Sequence, residues 1–406
     1  MTIPPINPGR LLADLHALRG FGAYESGAHR LTFSREDIDS RRWLADRMRE
    51  GGLLAEIDGI GNVIGRGPGP GPHLLLGSHT DTQPHAGWLD GALGVLCGLE
   101  IARSRHEADL PGNVDVASWA DEEETWGDFP GSRSFIGDLD EAGIDAMANR
   151  YDGRPLRAAL AAAGLAGRPR ASLQPGRYRG YLEAHIEQGE ELEAKGLKLG
   201  IVTAIVGLWQ YRIVVEGVQN HAGTTRMAVR RDAGLAAIKL AAAIDRRFPD
   251  LAGPRTVWTL GRLEFFPGAP SVIPGRAEMV FQFRDTDPAV LERLEGGLRE
   301  LVAEADDGPC KVRLETMGRT TPQPMDASLA AALEQAAERL APGRHQRMPS
   351  GAGHDAQQLA RVMPAAMLFV PSIGGISHHW AENTADADIV LGCQVLAAAV
   401  ADLLAA

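Results

Sequence analysis

Residues Leu74–Gly94 have the sequence LLLGSHTDTQPHAGWLDGALG, and the organisation of the chain is worked out from this stretch. Three leucines, Leu74–Leu76, predict a short buried strand, and the polar turn after it carries His79 and Asp81. Asp90 follows eleven residues after His79, just before an apolar helix. Open α/β sheets bind ligands at the carboxyl ends of strands, and imidazole with carboxylate suits a divalent cation such as zinc. Ordinary turn and capping roles are the alternative for this stretch alone.

The composition is that of a soluble globular protein. The chain has 406 residues, of which 44% are hydrophobic and 23% charged, enough for two or three domains. The net charge of -12 argues against nucleic acid and anionic membrane as partners, because both favour a basic surface. No apolar run reaches the roughly 18 residues that span a bilayer. The N-terminus, MTIPPINPGR, lacks the features of a signal peptide, which predicts a cytoplasmic protein.

The cysteines limit the kind of metal site that the chain can build. Only Cys97, Cys310 and Cys393 occur, and they lie far apart in the sequence. Neither a disulfide framework nor a CxxC metal pair follows from this spacing. Any metal must therefore be held by histidine, aspartate and glutamate.

Helix and strand patterns alternate in the first half of the chain, as in an α/β domain. Ser34 is the predicted N-cap of the second helix. The predicted helices cover residues 11–19, 35–50 and 155–164. The predicted strands cover residues 55–57, 62–65, 74–76, 114–119 and 180–189.

The pattern changes near Gly207 to β-α-β-β-α-β, the order of a ferredoxin-like unit. Its predicted strands are Trp209–Val218, Thr256–Phe266, Ala277–Asp285 and Cys310–Thr316, and its helices are Arg231–Phe248 and Ala289–Ala305. Alternating α/β character then resumes, with a helix at residues 328–340, a strand at 366–371 and a final helix at 387–405. We therefore expect one α/β domain, residues 1–206 and 323–406, with an α+β domain of residues 207–322 inserted into it.

Acidic and histidine side chains recur at or just after the predicted strands. They are His79, Asp81, Asp90, Glu122, Glu123, His185 and His378. A hydrolytic site with two metal ions needs one bridging carboxylate, about two further ligands per ion, and a free carboxylate to move protons. Two cations about 3.5–4 Å apart would share a water molecule and lower its pKa toward roughly 7. This set of side chains meets that demand.

Seven sequence motifs occur along the chain. They are GSHTDT (77–82), LDGALGVLCGLE (89–100), DEEE (121–124), HIEQG (185–189), NHAGTTRM (220–227), SGAGHDA (350–356) and GGISHH (374–379). Together they resemble the hydantoinase/carbamoylase family of dinuclear metal amidohydrolases, which contains N-carbamoyl-L-amino-acid hydrolases, allantoate amidohydrolases and β-ureidopropionases. The likeness begins at Ala28 and runs to the C-terminal helix. It implies a metallopeptidase-like catalytic domain and an inserted domain that serves as lid and dimerisation domain.

The resemblance implies a metal ligand set of five residues. His79, Asp90 and His185 would bind one ion. Asp90, Glu123 and His378 would bind the other, so that Asp90 bridges. The family implies two divalent ions per subunit (Zn, Mn, Co or Ni), and the sequence does not select among them.

The resemblance also implies catalytic and substrate-binding roles. Glu122 would act as general base and general acid. Asp81 would orient His79 through its second ring nitrogen. Gln188 would touch the substrate, and Arg284 would hold a substrate carboxylate by a two-pronged contact. His221 would stabilise the oxyanion from the partner subunit of a homodimer.

Some of these roles have alternatives. The adjacent Glu122 and Glu123 could exchange functions. His378 is preferred over His379 because it matches the GISH motif, and His354 could either act in the site or only pin its loop.

Other polar residues near the motifs have structural alternatives. His221 could be a turn histidine, and Arg284 a charge on a strand surface. Asp121 and Glu124 are expected to be solvated neighbours of the two glutamates between them.

The chain departs from the family pattern around the expected substrate pocket. Ser271 stands where the family usually has asparagine, and Gln282 stands where it usually has aspartate. Glu124-Thr125-Trp126 follow the DEE run, where the family usually has glycine and then an Arg-Phe pair. His379-Trp380 follow GISH, where the family usually has a small residue and then proline. Serine is shorter than asparagine and lacks the amide's paired donor and acceptor. We therefore expect altered substrate contacts at Ser271, with the proposed metal ligands intact.

The resemblance favours an amidohydrolase that cleaves the ureido C–N bond of an N-carbamoyl-L-α-amino acid. Allantoate, ureidoglycolate, β-ureidopropionate and N-acyl amino acids are alternative substrates. A small-molecule binder on a decayed enzyme scaffold is the alternative of a different class. No expected metal ligand is lost from the sequence, which favours an enzyme.

Overall fold

The computed structural model describes residues 4–405. The helices are α1 (Pro8–Gly20), α2 (Arg35–Glu50), α3 (Ala92–Glu107), α4 (Pro130–Phe135), α5 (Glu141–Ala146), α6 (Leu156–Ala162), α7 (Glu191–Ala194), α8 (Ala233–Arg247), α9 (Pro288–Asp306), α10 (Ala327–Leu340), α11 (Asp355–Leu359) and α12 (Asp386–Ala405). The strands are β1 (Ala23–Tyr24), β2 (Gly27–Ala28), β3 (Leu54–Ile57), β4 (Val63–Arg66), β5 (His73–His79), β6 (Val114–Trp119), β7 (Tyr178–Ile186), β8 (Leu199–Ile205), β9 (Gly207–Glu216), β10 (Asn220–His221), β11 (Val257–Phe266), β12 (Val272–Ile273), β13 (Arg276–Asp285), β14 (Lys311–Arg319), β15 (Gln323–Pro324), β16 (His345–Ser350) and β17 (Ala365–Val370).

The chain forms two compact units. Unit 1 comprises the described residues up to Thr203 and from Pro324 onward, and unit 2 comprises Ala204–Gln323. The mixed α/β fold expected from the sequence is confirmed.

Unit 1 is built on a nine-stranded sheet with the order β15-β8-β17-β7-β5-β6-β4-β3, in which β16 also pairs with β8. Its four central strands, β17, β7, β5 and β6, are parallel. Strands β4 and β8 join this centre in antiparallel fashion. The carboxyl ends of the four parallel strands therefore lie along one edge of the sheet.

Apolar side chains of the sheet and of five helices form the core of unit 1. Strand β5 is buried along its whole length, as expected for a strand inside a parallel sheet. Leu15 of α1, Leu44 of α2, Leu96 of α3, Leu333 of α10 and Leu396 of α12 belong to one apolar cluster. These helices therefore pack against the sheet whose carboxyl edge carries the polar strand ends.

Helix α2 shows how local sequence places an element in this unit. Ser34 precedes the helix, and its side chain accepts the backbone N–H of Asp37, which satisfies a donor that the first turn leaves free. The cap and the helix limits match the sequence prediction. Arg41 reaches back to Asp37 at 2.8 Å in a fully buried ion pair.

Unit 2 is a four-stranded antiparallel sheet with helices α8 and α9. The sheet order is β11-β13-β9-β14, and every neighbouring pair is antiparallel. The chain order is β-α-β-β-α-β, in agreement with the pattern read from the sequence. A separate apolar cluster joins the two helices to the sheet, with Phe248, Phe281, Phe283, Leu294 and Leu298 among its buried members.

Helix α12 is the one described helix whose length and composition would allow it to cross a membrane. Its most apolar 18-residue window has a mean hydropathy of 1.8, and 61% of that window is buried inside unit 1. Val395 and Leu396 of α12 belong to the main apolar core. Burial in a protein core accounts for this composition.

Seven of the described strands were not predicted from the sequence, and the two longest of them are β8 and β16. Strand β8 has the mostly apolar sequence LGIVTAI, whose pattern alone does not separate strand from helix. Strand β16 covers a stretch, HQRMPS, with few strand-forming residues. Both are defined by their mutual pairing in the sheet, which is a tertiary contact.

Candidate active site

The expected ligands come from four neighbouring strands of unit 1. His79 is the last residue of β5, and His185 is the penultimate residue of β7. Glu122 and Glu123 follow the end of β6, and His378 lies in the loop after β17. Because these strands are parallel and adjacent, the segments converge at the carboxyl edge of the sheet.

Asp90 lies at the centre of the cluster. Its Oδ1 is 3.0 Å from His185 Nε2 and 3.6 Å from His79 Nε2. Its Oδ2 is 3.3 Å from His378 Nε2. His378 Nε2 is in turn 3.6 Å from Glu123 Oε2. The two oxygens of the Asp90 carboxylate thus face two different sets of donor atoms, which is the arrangement expected of a carboxylate that bridges two metal ions.

The residues fit a pair of divalent cations. Two trios, His79–Asp90–His185 and Asp90–Glu123–His378, each bring their donor atoms within 4.8 Å of one another. His79 Nε2 and Glu123 Oε1 are buried, and neither has a hydrogen-bond partner among residues 4–405. Buried polar atoms without partners are rare in folded proteins. Imidazole and carboxylate are also the donors that first-row divalent ions accept.

Backbone carbonyl groups orient two of the histidines. His79 Nδ1 donates to the carbonyl oxygen of Asp81 at 3.1 Å, and His185 Nδ1 donates to that of Ile186 at 2.9 Å. Each bond fixes the ring so that Nε2 carries the lone pair that a metal would need. His79 Nε2 has no hydrogen-bond partner among the described residues, whereas His185 Nε2 accepts the backbone N–H of Gly91 at 3.2 Å. The carboxylate of Asp81 lies farther from His79 Nδ1, at 3.7 Å. The His79 ring is therefore oriented by the main-chain carbonyl of Asp81 more than by the Asp81 carboxylate.

The Asp81 carboxylate has other partners. Its Oδ2 accepts the hydroxyl of Thr32 at 3.0 Å and the backbone N–H of Glu123 at 3.2 Å. It therefore ties the β5 turn to the turn that carries the two glutamates.

Glu122 and Glu123 differ in their neighbours. Glu123 Oε2 accepts from Gln83 at 2.9 Å and faces His378. Glu122 Oε2 lies 3.5 Å from His79 Nε2, and Glu122 is absent from both trios that share Asp90. Glu122 instead groups with His79 and Glu123. The assignment of Glu123 as a metal ligand and Glu122 as the free carboxylate stays a prediction.

Both glutamates have raised pKa values. Burial raises the pKa of Glu122 well above its ordinary value; His79 opposes this, and the negative charge of Glu123 adds to it. Burial and the charge of Asp90 raise the pKa of Glu123 to about 7. A carboxyl group shifted in this direction can take up and return protons near neutral pH.

Gln188 is held against the cluster. Its Nε2 donates to Asp90 Oδ2 at 2.9 Å and to Ser377 Oγ at 3.1 Å. Its Oε1 is buried without a partner in the described part of the chain. Gln188 therefore holds the Asp90 carboxylate by a hydrogen bond and also presents an acceptor without a partner among the described residues.

His378, His379 and His354 differ in their contacts with the cluster. His378 presents Nε2 to the cluster, whereas His379 Nδ1 accepts the backbone N–H of Ala381 at 3.1 Å. His354 is buried with its ring centre 4.5 Å from that of His185, and its Nε2 is 2.8 Å from Ser350 Oγ. Burial holds the pKa of His354 well below its usual range, which favours a neutral ring beside His185.

The expectation that Asp121 is solvated is wrong. Asp121 is fully buried, and its carboxylate accepts the backbone N–H groups of Thr125, Trp126 and Gly127. It shapes the turn that presents the two glutamates. Glu124 is exposed, as expected, and pairs with Arg150 at 2.9 Å.

The remaining expected site residues belong to unit 2. His221 is exposed on β10, and its Nδ1 accepts the N–H of Gly223 at 3.0 Å. Ser271 lies just before β12, and its carbonyl accepts from Ala222 at 3.0 Å. Arg284 on β13 donates through Nε to Gln282 Oε1 at 3.2 Å. Gln282 thus contacts the arginine from the position of the family's usual aspartate.

Sequence reasoning missed Glu382, which is buried beside Asp90. Its Oε1 accepts the backbone N–H of Asp90 at 3.1 Å. The available signal was an acidic residue four positions after His378 in a polar loop. That signal is weak, because such loops often carry acidic residues on their surface.

Comparison with known proteins identifies the class. Residues 75–402 match the model of Peptidase family M20/M25/M40. The chain belongs to this family, and it is a hydrolase of carbon–nitrogen bonds.

Individual relatives and a solved structure show which enzymes the chain is similar to. The chain is 36% identical over 400 residues to an N-carbamoyl-L-amino acid amidohydrolase of Geobacillus stearothermophilus, covering 95% of this chain and 96% of the relative. It is 35% identical to an allantoate amidohydrolase of Escherichia coli (strain K12), covering 94% of each. A crystal structure of an amidase of the hydantoinase/carbamoylase family from Burkholderia phymatum has a TM-score of 0.91 and 50% identity, covering 100% of this chain and 99% of that one. The family resemblance expected from the motifs is confirmed.

Proposed function

We propose that the protein is a dinuclear metal-dependent amidohydrolase that cleaves the ureido C–N bond of an N-carbamoyl-L-α-amino acid. One water molecule is consumed, and the products are the free amino acid, carbon dioxide and ammonia. The observation that carries the proposal is the position of Asp90, whose two oxygens face two separate groups of metal-type donors.

The five expected ligands would hold two divalent ions, with Zn, Mn, Co and Ni as candidates. His79 and His185 would bind one ion and Glu123 and His378 the other, with Asp90 shared. When bound, such a pair of cations polarises a carbonyl group and makes water more acidic. The sheet edge positions the donors before any ion arrives, because both strand-end histidines are fixed by main-chain hydrogen bonds.

Glu122 would carry the proton. Its carboxylate would accept a proton from the attacking water and then deliver it to the departing nitrogen. Its burial and its closeness to His79 support this role, since they place a group with a raised pKa among the donors. Gln188 would orient the ureido group through its unpartnered Oε1.

Residues of unit 2 would recognise the substrate and stabilise charge. Arg284 would bind the α-carboxylate through two hydrogen bonds, and Ser271 would contribute one hydroxyl. His221 would donate to the developing oxyanion from the partner subunit. Its exposed position on β10 leaves its ring accessible.

We further propose a homodimer formed through unit 2. Strand β11 is the outermost strand of the four-stranded sheet, and it exposes Val257, Leu260 and Phe266. Helix α8 exposes Leu235 and Ile238. An unprotected apolar edge strand favours pairing with another chain. Light scattering should give twice the 43.3 kDa chain mass, and an active monomer would contradict the dimer.

We also propose a cytoplasmic location for this enzyme. Cys97, Cys310 and Cys393 are all buried free thiols. Free thiols are typical of a reducing compartment.

The test of substrate class is ammonia release from metal-reconstituted protein across a panel. The panel contains N-carbamoyl-L- and N-carbamoyl-D-amino acids, allantoate, ureidoglycolate, β-ureidopropionate and an N-acetyl amino acid, for which free amine is measured instead. We expect the highest kcat/KM for an N-carbamoyl-L-α-amino acid. Higher kcat/KM for allantoate would favour the second candidate, which the similarity to an allantoate amidohydrolase supports.

A further inference from the structure

Glu382 is a buried carboxylate that receives three hydrogen bonds from two segments of the candidate site. Its Oε1 accepts the backbone N–H of Leu89 at 3.2 Å and that of Asp90 at 3.1 Å. Its Oε2 accepts the hydroxyl of Ser377 at 3.1 Å. Leu89 and Asp90 lie before α3, and Ser377 directly precedes His378. One side chain therefore ties the bridging carboxylate to the loop of a second expected ligand.

The neighbouring backbone is shaped around this carboxylate. A Cβ built on Gly87 would overlap the carboxyl group of Glu382. Any residue larger than glycine would push the loop and the carboxylate apart. Gly87 therefore allows the chain leading to Asp90 to approach Glu382 closely.

Ser377 extends the same contact to the ligand side chains. Its Oγ accepts Gln188 Nε2 at 3.1 Å and lies 3.5 Å from Asp90 Oδ2. Gln188 Nε2 also donates to Asp90 Oδ2 at 2.9 Å. Glu382, Ser377 and Gln188 thus form a chain of hydrogen bonds that ends on the bridging carboxylate.

The two groups of ligands depend unequally on this chain. His79 and His185 are on strands of the sheet, where they are 1% exposed. His378 is in a loop, and its side chain is 50% exposed. A loop ligand loses its position more readily than a strand ligand. Loss of Glu382 should therefore affect the trio Asp90–Glu123–His378 more than the trio of His79, Asp90 and His185.

We propose that Glu382 is a positioning residue that sets Asp90 and His378 relative to each other and so controls the affinity for one of the two cations, the one shared by Asp90, Glu123 and His378. This inference rests on the proposed function, since it assumes that the two trios bind metal. Residues of this kind around a metal site typically change metal affinity about 10–100-fold when they are replaced.

The test compares metal binding by the wild type and the Glu382→Ala, Glu382→Gln and Ser377→Ala variants. Metal-free protein is titrated with Mn²⁺ or Zn²⁺, the two binding steps are followed by calorimetry, and stoichiometry is measured by elemental mass spectrometry. Tm of each metal-free variant is measured in parallel. Asp115→Asn is the matched control, because Asp115 is also a fully buried carboxylate that accepts from backbone and side chains, in this case far from the cluster.

We expect Glu382→Ala to weaken the second binding step about 10–100-fold and to leave the first step close to that of the wild type. Glu382→Gln keeps an oxygen for the two backbone donors and should recover most of the affinity. Ser377→Ala should shift the same step by a smaller factor, with little change in Tm. The control should lower Tm and leave both metal steps unchanged.

Two results would overturn the inference. Wild-type affinity for both ions in Glu382→Ala would show that the contact does not position the ligands. Equal weakening of both steps, matched by the control at the same loss of Tm, would show a purely structural role. A wild-type protein that binds no metal at all would instead refute the proposed function, so the two failures are distinguishable.

Discussion

Buried charged groups lie at both ends of strands β5 and β6, and the two groups differ in how completely they are hydrogen-bonded. At the amino end of this part of the sheet, Asp115 of β6 meets His73 of β5, and every carboxylate oxygen has partners. At the carboxyl end, His79 and Glu123 keep buried polar atoms that no described residue satisfies. Buried charge that is fully hydrogen-bonded is tolerated in a folded protein, whereas an unpaired buried polar atom costs free energy. Unpaired atoms within a cluster of titratable side chains indicate a site for a ligand.

The amino-end cluster is saturated with hydrogen bonds. Asp115 Oδ1 accepts from Gly67 N at 2.9 Å and from His73 Nδ1 at 2.7 Å. Its Oδ2 accepts from Arg177 Nε at 2.8 Å and from the Tyr178 hydroxyl at 2.9 Å. Burial alone would raise the pKa of Asp115, but these hydrogen bonds outweigh it and lower the pKa. The ionised form is the stable one.

The carboxyl-end cluster holds carboxylates without enough partners. Burial raises the pKa of Glu122 and of Glu123. Asp90 is the exception, because contacts with the histidine rings, chiefly His185, outweigh its burial and lower its pKa. The sheet thus carries one anion braced by imidazoles and two carboxyl groups that disfavour ionisation. A bound cation would offset the repulsion between these carboxylates and favour their ionised forms.

The largest expected effect comes from changing Glu122, the proposed general base of the carboxyl-end cluster. Glu122→Gln should reduce kcat about 10²–10⁴-fold, because the amide cannot take up a proton, and the content of two metal ions should be unchanged. Steady-state kinetics and elemental analysis measure the two quantities. Glu124→Gln is the matched control, since Glu124 is adjacent but exposed. Normal turnover in Glu122→Gln would remove its proposed role.

The next effect concerns the saturated cluster. Asp115→Asn should lower the free energy of unfolding by about 2–3 kcal/mol, the usual contribution of hydrogen bonds to a charged group. It should leave metal affinity and kcat unchanged, because Asp115 lies at the far end of β6 from the glutamates. Urea denaturation of metal-free protein measures the stability. A loss of metal binding without a loss of stability would contradict the view that the amino-end cluster stabilises the fold and the carboxyl-end cluster binds metal.

The smallest effect is the pH dependence of that stability difference. The pKa of Asp115 is lowered in the folded protein, so its contribution is fully present above the unfolded pKa of about 3.9 and is lost as the pH falls through the lower, folded value. The stability difference between wild type and Asp115→Asn should be constant from pH 7 to about pH 5 and should shrink below about pH 4. The pH-dependent stability contributions of the other carboxylates are the same in both proteins and cancel in the difference. A difference that already declines at pH 6 would contradict the assignment.

The sequence predicted the strand-end part of the site because its geometry follows from parallel strands. His79, Glu122, Glu123 and His185 each lie at or just after a strand, and adjacent parallel strands bring such residues together. Asp90 was noted because it lies just before an apolar helix, and its bridging role was implied by the family resemblance.

The sequence did not reveal contacts that depend on distant segments. Glu382 reaches Asp90 across 292 positions, and no local pattern encodes that distance. Asp121 was misread because a run of four acidic residues usually indicates solvent exposure, whereas its carboxylate folds back on its own turn. The sequence also did not indicate that the carbonyl of Asp81, more than its carboxylate, orients His79.

The most direct test of the central claim is anomalous diffraction from crystals of the protein loaded with Mn²⁺ or Zn²⁺. The account predicts two anomalous peaks per subunit, about 3.5–4 Å apart, with one oxygen of Asp90 on each. It also predicts that His79 and His185 ligate one peak and that Glu123 and His378 ligate the other. A single peak, or two peaks of which neither touches Asp90, would contradict the account.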